Sequence, residues 1–286
     1  MDSLPQKIVG MSNEEYQTKK GYLRRSYLHS VCKYGGEAQQ WLDSGRSLFS
    51  GSAATTLGSK FDQMVTGEKG LCNGNDIESQ LAVPPADVLA SNGARRGGKF
   101  DAWKAEAEKQ GLIDCSNEER EKLLCMGQSL LANPAAVELI RETVETQVSV
   151  FFELYGQPCM VRPDGCCADR WWDLKSTSAT WDKIHFSVND YGYAMQEFLY
   201  VEAAKAIGLP HHRMPFVFVQ TMAPFACRVF LLPEDMVEEA GRQLRNVMEE
   251  VRLRRETGVY LPVEHGEITE MVVPAWANKK TEEVLI

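Results

Sequence analysis

The sequence of 286 residues lacks the patterns that mark several large functional classes. It contains no run of 18 apolar residues, so we expect neither a membrane-spanning helix nor a membrane partner. Its first 16 residues show no charged segment followed by an apolar one, so we expect no secretion signal. The phosphate-binding loop GxxxxGKS/T is also missing, which argues against an ATP-driven motor and a bound nucleotide.

Metal-binding motifs built on cysteine or histidine are missing as well. None of the eight cysteines is separated from another by two residues, and the adjacent Cys166 and Cys167 are badly placed to share one ion. A disulfide framework is normally denser in a shorter chain, so we expect reduced thiols and a cytoplasmic protein. The five histidines show no paired-ligand spacing and are expected at the surface: His29, His185, His211, His212 and His265.

The net charge of −9 argues against a general nucleic-acid coat but does not exclude a local basic groove. Basic residues do cluster locally, although each cluster alone is more often a solvated face than a phosphate site. The clusters are Arg24 and Arg25, then Arg95, Arg96 and Lys99, then Arg242, Arg245, Arg252, Arg254 and Arg255.

Periodicity and turn residues predict an alternation of helices and strands. Residues 12–50 and 57–65 are typical of helices, and 66–100 of a long loop. Ser116 and Glu119 form a capping box at the start of another helix. The pattern then predicts three strands (147–154, 158–164, 170–176), a helix (189–208), two strands (214–222, 226–232) and a long helix after Pro233.

This order favours an α/β fold in which one mixed sheet is flanked by helices. The length allows one sizeable domain or two small ones, and we interpret residues 1–286 as a single domain. Within it we distinguish a helical and loop-rich N-terminal part (1–115), an α/β core (116–260) and a C-terminal tail (261–286).

One stretch, VRPDGCCADRWWDLKS (161–176), places charges inside a strand pattern, where burying a charge is expensive. Because side chains alternate along a strand, Asp173 and Lys175 would face one side and Leu174 the core. Asp164, at the end of a neighbouring hairpin strand, would reach the same side. Each acid alone is more often a turn or surface residue. The joint pattern favours two carboxylates and an ammonium at one sheet edge.

Two close carboxylates repel each other unless they share a proton or a cation. Carboxylate oxygens suit Mg²⁺ or Mn²⁺, and such a cation lowers the pKa of its bound water and polarises a phosphoryl oxygen. Lys175 beside that water could orient or deprotonate it and stabilise charge on a phosphate. The pattern therefore indicates phosphodiester hydrolysis.

These residues resemble the PD-(D/E)xK nuclease superfamily, with Pro163-Asp164 as the first element and Asp173-Leu174-Lys175 as the second. Most of the chain is similar to RecE-type phage 5′-to-3′ exonucleases of the RecB-like branch. The similar blocks are MSNEEY, LGSKFDQMV (57–65), VRPDG through DLKSTS, YGYAMQEFLY (191–200), FVFVQTMAPFACRVFLL and VVPAWA (272–277). The resemblance implies a restriction-endonuclease-like fold: a mixed central sheet flanked by helices, with a helical N-terminal region.

The resemblance also implies residue roles. The metal ligands would be Asp164, Asp173 and the backbone carbonyl of Leu174, and the catalytic lysine would be Lys175. Gln196 and Tyr200, four residues apart on one helix face, match a motif that positions DNA or the active site. For this pair alone, ordinary packing of Tyr200 beside a solvated Gln196 is the better interpretation.

Two positions, Asp62 and Gln147, depart from the family pattern. Asp62 stands where the family has histidine, and it would supply an oxygen ligand to Mg²⁺ or Mn²⁺, or else lie on the helix surface. Gln147 stands where an acid is often found, so a second metal would be held weakly; Glu153 shares strand parity with Gln147 and could substitute as a ligand. Only Cys227 follows Lys175, whereas iron–sulfur relatives carry three late cysteines, so we expect no Fe–S cluster.

The resemblance implies an exonuclease that resects linear double-stranded DNA 5′-to-3′ and leaves 3′ single-stranded tails for recombination. It further implies a ring-shaped homo-oligomer, with a tetramer favoured, a single-strand annealing protein as partner, and a phage or prophage gene in a bacterial host. Two alternatives stay open. One is a structure-specific or single-strand nuclease with the same core, and the other is a degenerate nuclease fold that binds DNA or protein. The intact Asp164, Asp173 and Lys175 argue against the latter.

Overall fold

The computed structural model describes residues 4–48, 53–210, 213–261 and 268. Its helices are α1 (Asn13–Thr18), α2 (Arg25–Asp43), α3 (Ala53–Thr66), α4 (Gly98–Lys109), α5 (Asn117–Leu131), α6 (Pro134–Glu142), α7 (Ile184–Asp190), α8 (Tyr193–Ala206) and α9 (Glu234–Thr257). Its strands are β1 (Gln6–Ile8), β2 (Leu81–Ala82), β3 (Ile113–Asp114), β4 (Thr143–Thr146), β5 (Ser149–Leu154), β6 (Gln157–Val161), β7 (Gly165–Cys167), β8 (Trp171–Thr177), β9 (Phe216–Gln220) and β10 (Cys227–Phe230).

A five-stranded mixed sheet with the order β10-β9-β8-β7-β4 forms the centre of the fold. Strand β8 pairs in parallel with β9, with Asp173 opposite Phe216, and antiparallel with β7, with Gly165 opposite Trp172. The parallel pair requires a long crossover, which α7 and α8 provide. Strand β8 therefore lies in the middle of the sheet.

Different helices cover the two faces of this sheet, and the alternation of side chains decides which residue enters which core. Phe216 of β9 packs in a core with α2, α8 and α9, whereas Val217 packs in a core with α3, α5 and α6. Leu174 of β8 joins the second core. Asp173 and Lys175 consequently face the side of α8.

A second sheet is three-stranded and antiparallel, with the order β1-β5-β6. Gln6 lies opposite Phe151, which in turn pairs with Met160 across the β5–β6 hairpin. Phe152 points into the core that contains α8, while Phe151 packs with Tyr16. This sheet therefore holds the N-terminal strand β1 against β5.

The mixed sheet flanked by helices is confirmed, and so is the capping box, in which the Ser116 hydroxyl accepts the Glu119 N–H at 3.1 Å. Two details of the sheets differ from the prediction. The first two predicted strands form a separate sheet, and the segment GCCAD, expected as a turn, contains β7. Strand β7 fits there because Gly165 has no side chain: a Cβ would lie 2.1 Å from the Trp172 ring.

The predicted helical region 12–50 is divided into α1 and α2, and the predicted loop 66–100 contains short 3-10 turns together with β2 and the start of α4. Some predictions lie outside the described residues. They concern His211, His212 and the stretches 262–267 and 269–286, which include His265, the block VVPAWA and most of the predicted C-terminal tail.

Within the described ranges, no single helix is long and apolar enough to cross a membrane. Helices α5 and α6 pass that test only when they are taken together, across a bend of 89°.

All eight cysteines are free, and four of them are buried: Cys115, Cys159, Cys166 and Cys167. Burial raises the pKa of the Cys115 thiol to about 11. The neutral thiol form therefore predominates at this position near neutral pH, as expected for an unreactive packing residue.

Candidate active site

Strand β8 carries the first two charged groups of the site. Asp173 is 2% exposed, and its Oδ2 accepts a hydrogen bond from the Lys175 ammonium, while its Oδ1 accepts one from the side-chain amide of Gln196 on α8. The Lys175 Nζ lies 5.1 Å from the centroid of the Tyr193 ring, whose π face attracts a cation. Asp173 and Lys175 thus share one face of β8, as the alternation predicted.

Asp164 lies between β6 and β7, where the chain passes from one sheet to the other. Its Oδ2 accepts the Leu174 backbone N–H at 2.7 Å. Since the Asp173 N–H donates to the Pro215 carbonyl beside β9, the backbone groups of Leu174 point the opposite way, toward Asp164. Asp164 and Asp173 therefore meet through the segment after β6, and not through the expected β6–β8 hairpin.

Helix α3 brings Asp62 to the same place. Gly58, one turn earlier on the same helix face, allows a close approach to β8, because a Cβ there would lie 2.6 Å from the Ser176 Oγ. The Asp62 Oδ1 accepts a hydrogen bond from the Thr66 hydroxyl at 2.8 Å. The acid that stands in the position of the family histidine thus faces the site.

Gln147 connects the two acids Asp62 and Asp164. Its Nε2 lies 3.1 Å from the Asp164 Oδ1 and 3.3 Å from each carboxylate oxygen of Asp62. Its Oε1 accepts the Arg162 Nε–H at 3.0 Å, which sets the direction of the amide. Arg162 also donates to the Met11 carbonyl at 2.8 Å. A neutral donor, oriented from the N-terminal segment, therefore stands between two carboxylates.

Helix α8 supplies the floor of the site with the predicted pair Gln196 and Tyr200. Gln196 is 2% exposed and bonds to Asp173, so the interpretation of a solvated Gln196 is wrong. The Tyr200 hydroxyl is 3.3 Å from the Arg162 carbonyl oxygen, to which it donates. The pair thus contacts the site from one helix face, and Gln196 does so by orienting a carboxylate.

An open cleft of about 500 Å³ beside the central strand β8, a volume common for small-molecule sites, is lined by Asp62, Arg162, Asp164, Asp173, Lys175 and Tyr200. The cleft wall also contains Arg25, Ser176, Tyr191 and Tyr193. The cleft therefore combines acidic, basic and aromatic groups within one opening.

Within the part of the chain that the structure describes, Asp62 and Asp164 form no ion pair, whereas Asp173 is paired with Lys175. Burial, opposed by the Thr66 hydrogen bond, raises the pKa of Asp62 to about 6. Burial, followed by the charges of Asp173 and Asp62, raises the pKa of Asp164 well above its ordinary value. This side of the cleft therefore carries an excess of negative charge that a cation would relieve.

The donor set fits a hard divalent cation, since Mg²⁺ and Mn²⁺ prefer carboxylate and carbonyl oxygens with water in the remaining positions. Asp62, Asp164 and the Leu174 carbonyl would hold it. Asp173, also predicted as a ligand, differs from these two acids because it is already paired with the Lys175 ammonium. Across the described residues, no three acidic, histidine or cysteine side chains form a ligand set by themselves. Water or substrate would complete the coordination.

The structure does not bring Glu153 to this cleft, and we withdraw it as a metal ligand. Glu153 is exposed on β5 and lies opposite Pro158 in the three-stranded sheet. The parity argument fails because Gln147 has a φ of 51° and precedes β5. The alternation of side chains therefore does not run unbroken from Gln147 to Glu153.

Among the residues that bond to Asp62 or to Gln147, sequence reasoning missed Arg162 and Thr66. Arg162 offered a signal, because it is a charge inside a strand pattern directly before Pro163 and Asp164. Thr66 offered none, since a hydroxyl four residues after an acid is common on helices. The contact between Arg162 and the Met11 carbonyl depends on the N-terminal segment folding back onto β6, which no local pattern reports.

Residues 104–268 match the family described as a PDDEXK-like domain of unknown function (DUF3799). The chain belongs to this family. The resemblance to PD-(D/E)xK proteins is thereby confirmed, and the matched range contains Asp164, Asp173, Lys175, Gln196 and Tyr200. Helix α3, with Asp62, precedes it.

The fold is similar to that of a solved structure. A crystal structure named "Putative exonuclease", from Eubacterium rectale, aligns with a TM-score of 0.57 and 15% identity, over 96% of this chain and 100% of that one. An alkaline exonuclease (LHK-Exo) from Laribacter hongkongensis aligns with a TM-score of 0.27 and 16% identity, over 60% of this chain and 90% of that one. A TM-score of 0.27 is too low to support a common fold. No protein of curated function matches. The first likeness shows the fold, and together with the family it supports a nuclease.

Proposed function

We propose that this protein is a Mg²⁺- or Mn²⁺-dependent deoxyribonuclease that hydrolyses phosphodiester bonds from the ends of linear double-stranded DNA. The observation that carries the proposal is the meeting of Asp62, Asp164, Asp173 and Lys175 in one open cleft. Carboxylates that can hold a cation, beside an ammonium that can stabilise phosphate charge, are the groups that this hydrolysis requires.

Each group of the cleft has a role in this proposal. A bound divalent cation would lower the pKa of a water and neutralise charge on the scissile phosphate. Lys175, held by Asp173, would donate to a phosphate oxygen or to the attacking water. Gln196 would keep the Asp173 carboxylate turned toward Lys175. Arg25 at the cleft wall would contact the DNA backbone.

The finer features rest on resemblance. Attack at ends is supported by the similarity to RecE-type exonucleases and by the name of the Eubacterium rectale protein. The 5′-to-3′ direction and 3′ tails for recombination are supported by the similarity to RecE-type exonucleases alone. On the same basis we propose a ring-shaped homo-oligomer, with a tetramer favoured, and a single-strand annealing protein as partner. A cytoplasmic site of action, in a bacterium that carries the phage or prophage, belongs to the same proposal.

The direct test is digestion of linear duplex DNA, labelled at the 5′ or the 3′ end, with and without Mg²⁺. Wild-type protein should release nucleotides from the 5′ end only when Mg²⁺ is present. Lys175→Ala should lower the rate by about 10³-fold, because it removes the one ammonium that Asp173 orients in the cleft. Lys109→Ala, at an exposed lysine at the end of α4, is the matched control and should leave the rate unchanged.

The same assay separates the alternatives. An end-dependent enzyme leaves closed circular duplex intact, whereas a structure-specific or single-strand nuclease acts on circles that contain a bubble. A degenerate fold that only binds DNA would digest neither and would bind no Mn²⁺ in calorimetry. Full activity of Lys175→Ala on linear duplex would refute the assigned site.

A further inference from the structure

The turn between α7 and α8 places an exposed aromatic ring at the rim of the cleft. Tyr191 is 57% exposed, lines the cleft, and stacks on Tyr193 with the ring centroids 5.9 Å apart and the planes 28° from parallel. One face of the Tyr191 ring is thus covered by Tyr193. The rest of the ring is presented to whatever enters the cleft.

Three side chains of α2 hold this turn in place. The Arg25 Nη1 donates to the Tyr191 carbonyl at 2.9 Å, and a ring nitrogen of His29 lies 2.9 Å from the Asp190 carbonyl oxygen. Lys33 lies 3.9 Å from the Asp190 carboxylate. The position of the Tyr191 ring is therefore set before any ligand binds, which lowers the entropic cost of a contact there.

The turn also requires a glycine at Gly192. Gly192 has a φ of +64°, and a Cβ there would lie 2.4 Å from the Nδ1 of His29. The absence of a side chain lets His29 pack directly against the turn, in a backbone conformation that favours glycine. The close contact between α2 and Gly192 therefore holds the turn in the conformation that exposes Tyr191.

The stack under Tyr191 leads directly to the reactive groups. Tyr193 stacks on Phe216 with the centroids 5.6 Å apart, and the Lys175 Nζ lies over the Tyr193 ring. Tyr191 is consequently the outermost ring of a stack whose middle ring supports the ammonium of the cleft. A nucleotide whose phosphate contacts Lys175 would bring a neighbouring base close to Tyr191.

We propose that Tyr191 is a stacking platform for an unpaired nucleobase of the strand that enters the cleft. A free aromatic face binds a base without regard to its identity, because every base has a π face, and such stacking contributes strongly to single-strand binding. A base inside a duplex is already stacked on both sides and cannot offer a face until it leaves the stack. This inference rests on the proposed function and specifies its substrate: a strand opened at its end.

A second exposed ring on the neighbouring helix serves as a matched control. Phe186 of α7 is 59% exposed, but its ring packs at 4.1 Å from that of His185, and it is not part of the cleft wall. Removing Phe186 deletes an equally exposed aromatic close in sequence to Tyr191, away from the cleft. If Tyr191→Ala weakens DNA binding more than Phe186→Ala does, the effect comes from the position in the cleft and not from nonspecific binding by exposed aromatic rings.

The test measures binding without cleavage, in the full-length protein with EDTA in place of Mg²⁺, so that hydrolysis is prevented and Lys175 is retained. The probe is a duplex oligonucleotide with three unpaired nucleotides at one 5′ end, labelled for anisotropy and carrying 2-aminopurine in the unpaired segment. Tyr191→Ala should weaken binding about tenfold and abolish quenching of 2-aminopurine, whereas Tyr191→Trp should retain both. Phe186→Ala should leave both unchanged. An abasic nucleotide at one unpaired position should remove the difference in affinity between the proteins with and without the Tyr191→Ala change.

Wild-type kinetics provide a second measurement. Tyr191→Ala should raise KM on duplexes with an unpaired end about tenfold while kcat changes less than twofold. Equal binding by Tyr191→Ala, an equal loss for base-containing and abasic probes, or no binding of the probe at all would overturn the inference. If the wild type cleaves DNA and any of these results is found, the proposed nuclease function stands and the stacking role of Tyr191 is refuted. If quenching depends on Tyr191 but the wild type hydrolyses no DNA, the stacking role stands and the proposed nuclease function is refuted.

Discussion

The two halves of the cleft differ in how their carboxylates are compensated. Asp173 is buried, yet it is matched by the Lys175 ammonium and the Gln196 amide. Among the described residues, the donors to Asp164 are two neutral groups, the Gln147 amide and the Leu174 N–H, and its pKa is raised by burial and by its acidic neighbours. In the half that contains Asp173 and Lys175, the carboxylate charge is balanced within the protein. In the half that contains Asp62 and Asp164, a bound cation or a proton is needed to neutralise the charge.

The difference indicates a division of labour. A group that is already paired is positioned by folding and acts as a fixed part of the machinery, as a preorganised site requires. A pair of acids that is left uncompensated costs stability in the metal-free protein, and this cost is recovered on binding a cation. The Lys175 half therefore supplies the fixed charge, and the Asp62 and Asp164 half supplies the cation site.

The largest expected effect comes from converting one acid in each half to its amide. Asp173→Asn and Asp164→Asn should each lower the rate of DNA hydrolysis about 10³-fold, yet they should change stability in opposite directions. Asp173→Asn leaves the partly buried Lys175 ammonium without its partner and should destabilise the fold by about 3 kcal/mol. Asp164→Asn removes an uncompensated charge and should stabilise the metal-free protein by about 1 kcal/mol. Urea unfolding in EDTA measures both.

One result of these stability measurements would contradict the division of labour between the two halves. If both variants lose stability equally in EDTA, the acids of the two halves are compensated alike and the division of labour is wrong. Added Mn²⁺ provides the control, because it should stabilise the wild type and Asp173→Asn more than Asp164→Asn, which has lost a ligand.

The two halves also differ in what the sequence predicts. Asp173 and Lys175 are two residues apart on one strand, so simple alternation places them together. Asp164 was predicted to reach them through a hairpin, but it does so through the segment that joins two sheets, because residues 147–161 form their own sheet. The convergence was predictable, whereas the route was not.

Gln147 and Arg162 show the limit of local patterns. Their positions depend on a left-handed backbone at Gln147 and on contacts between Arg162 and the N-terminal segment, far away in the chain. The family resemblance predicted that Asp62 faces the site, but the physical reason, the close approach of Gly58 to Ser176, is visible only in three dimensions. Glu153 was predicted as a ligand because side chains were assumed to alternate from Gln147 to Glu153. The prediction is wrong because the left-handed backbone at Gln147 interrupts that alternation before β5 begins.

A smaller effect concerns pH in the metal-free protein. The pKa of Asp62 is about 6 in the folded state and 3.8 as the ordinary value, so between these pH values the native state retains a proton that the unfolded chain has lost. Stability contributed by this group is therefore present at low pH and is lost as the pH rises from about 4 to 6. Two pKa units correspond to about 3 kcal/mol at most. The free energy of unfolding in EDTA, measured from about pH 4 to about pH 7, tests this.

The control isolates Asp62 from the other titrating groups. Asp62→Asn should lose this decline, so its advantage in stability over the wild type should grow as the pH rises through the window. Glu153→Gln, an exposed change on β5, should follow the wild-type curve. Parallel curves for wild type and Asp62→Asn would mean that Asp62 carries no raised pKa.

The smallest effect should come from Gln147→Glu, which places a carboxylate where a neutral amide now faces Asp62 and Asp164. The new charge repels both acids, but the Arg162 guanidinium that now bonds to the Gln147 Oε1 would gain a charged partner, so the metal-free protein should lose only about 1 kcal/mol. The added oxygen ligand should tighten Mn²⁺ binding at least about tenfold in calorimetry. Gln147→Ala deletes the amide without adding charge, and it should not tighten Mn²⁺ binding. If Gln147→Glu binds Mn²⁺ no better than the wild type, the uncompensated half is not where the cation binds, because an extra carboxylate between two ligands strengthens a site that contains them.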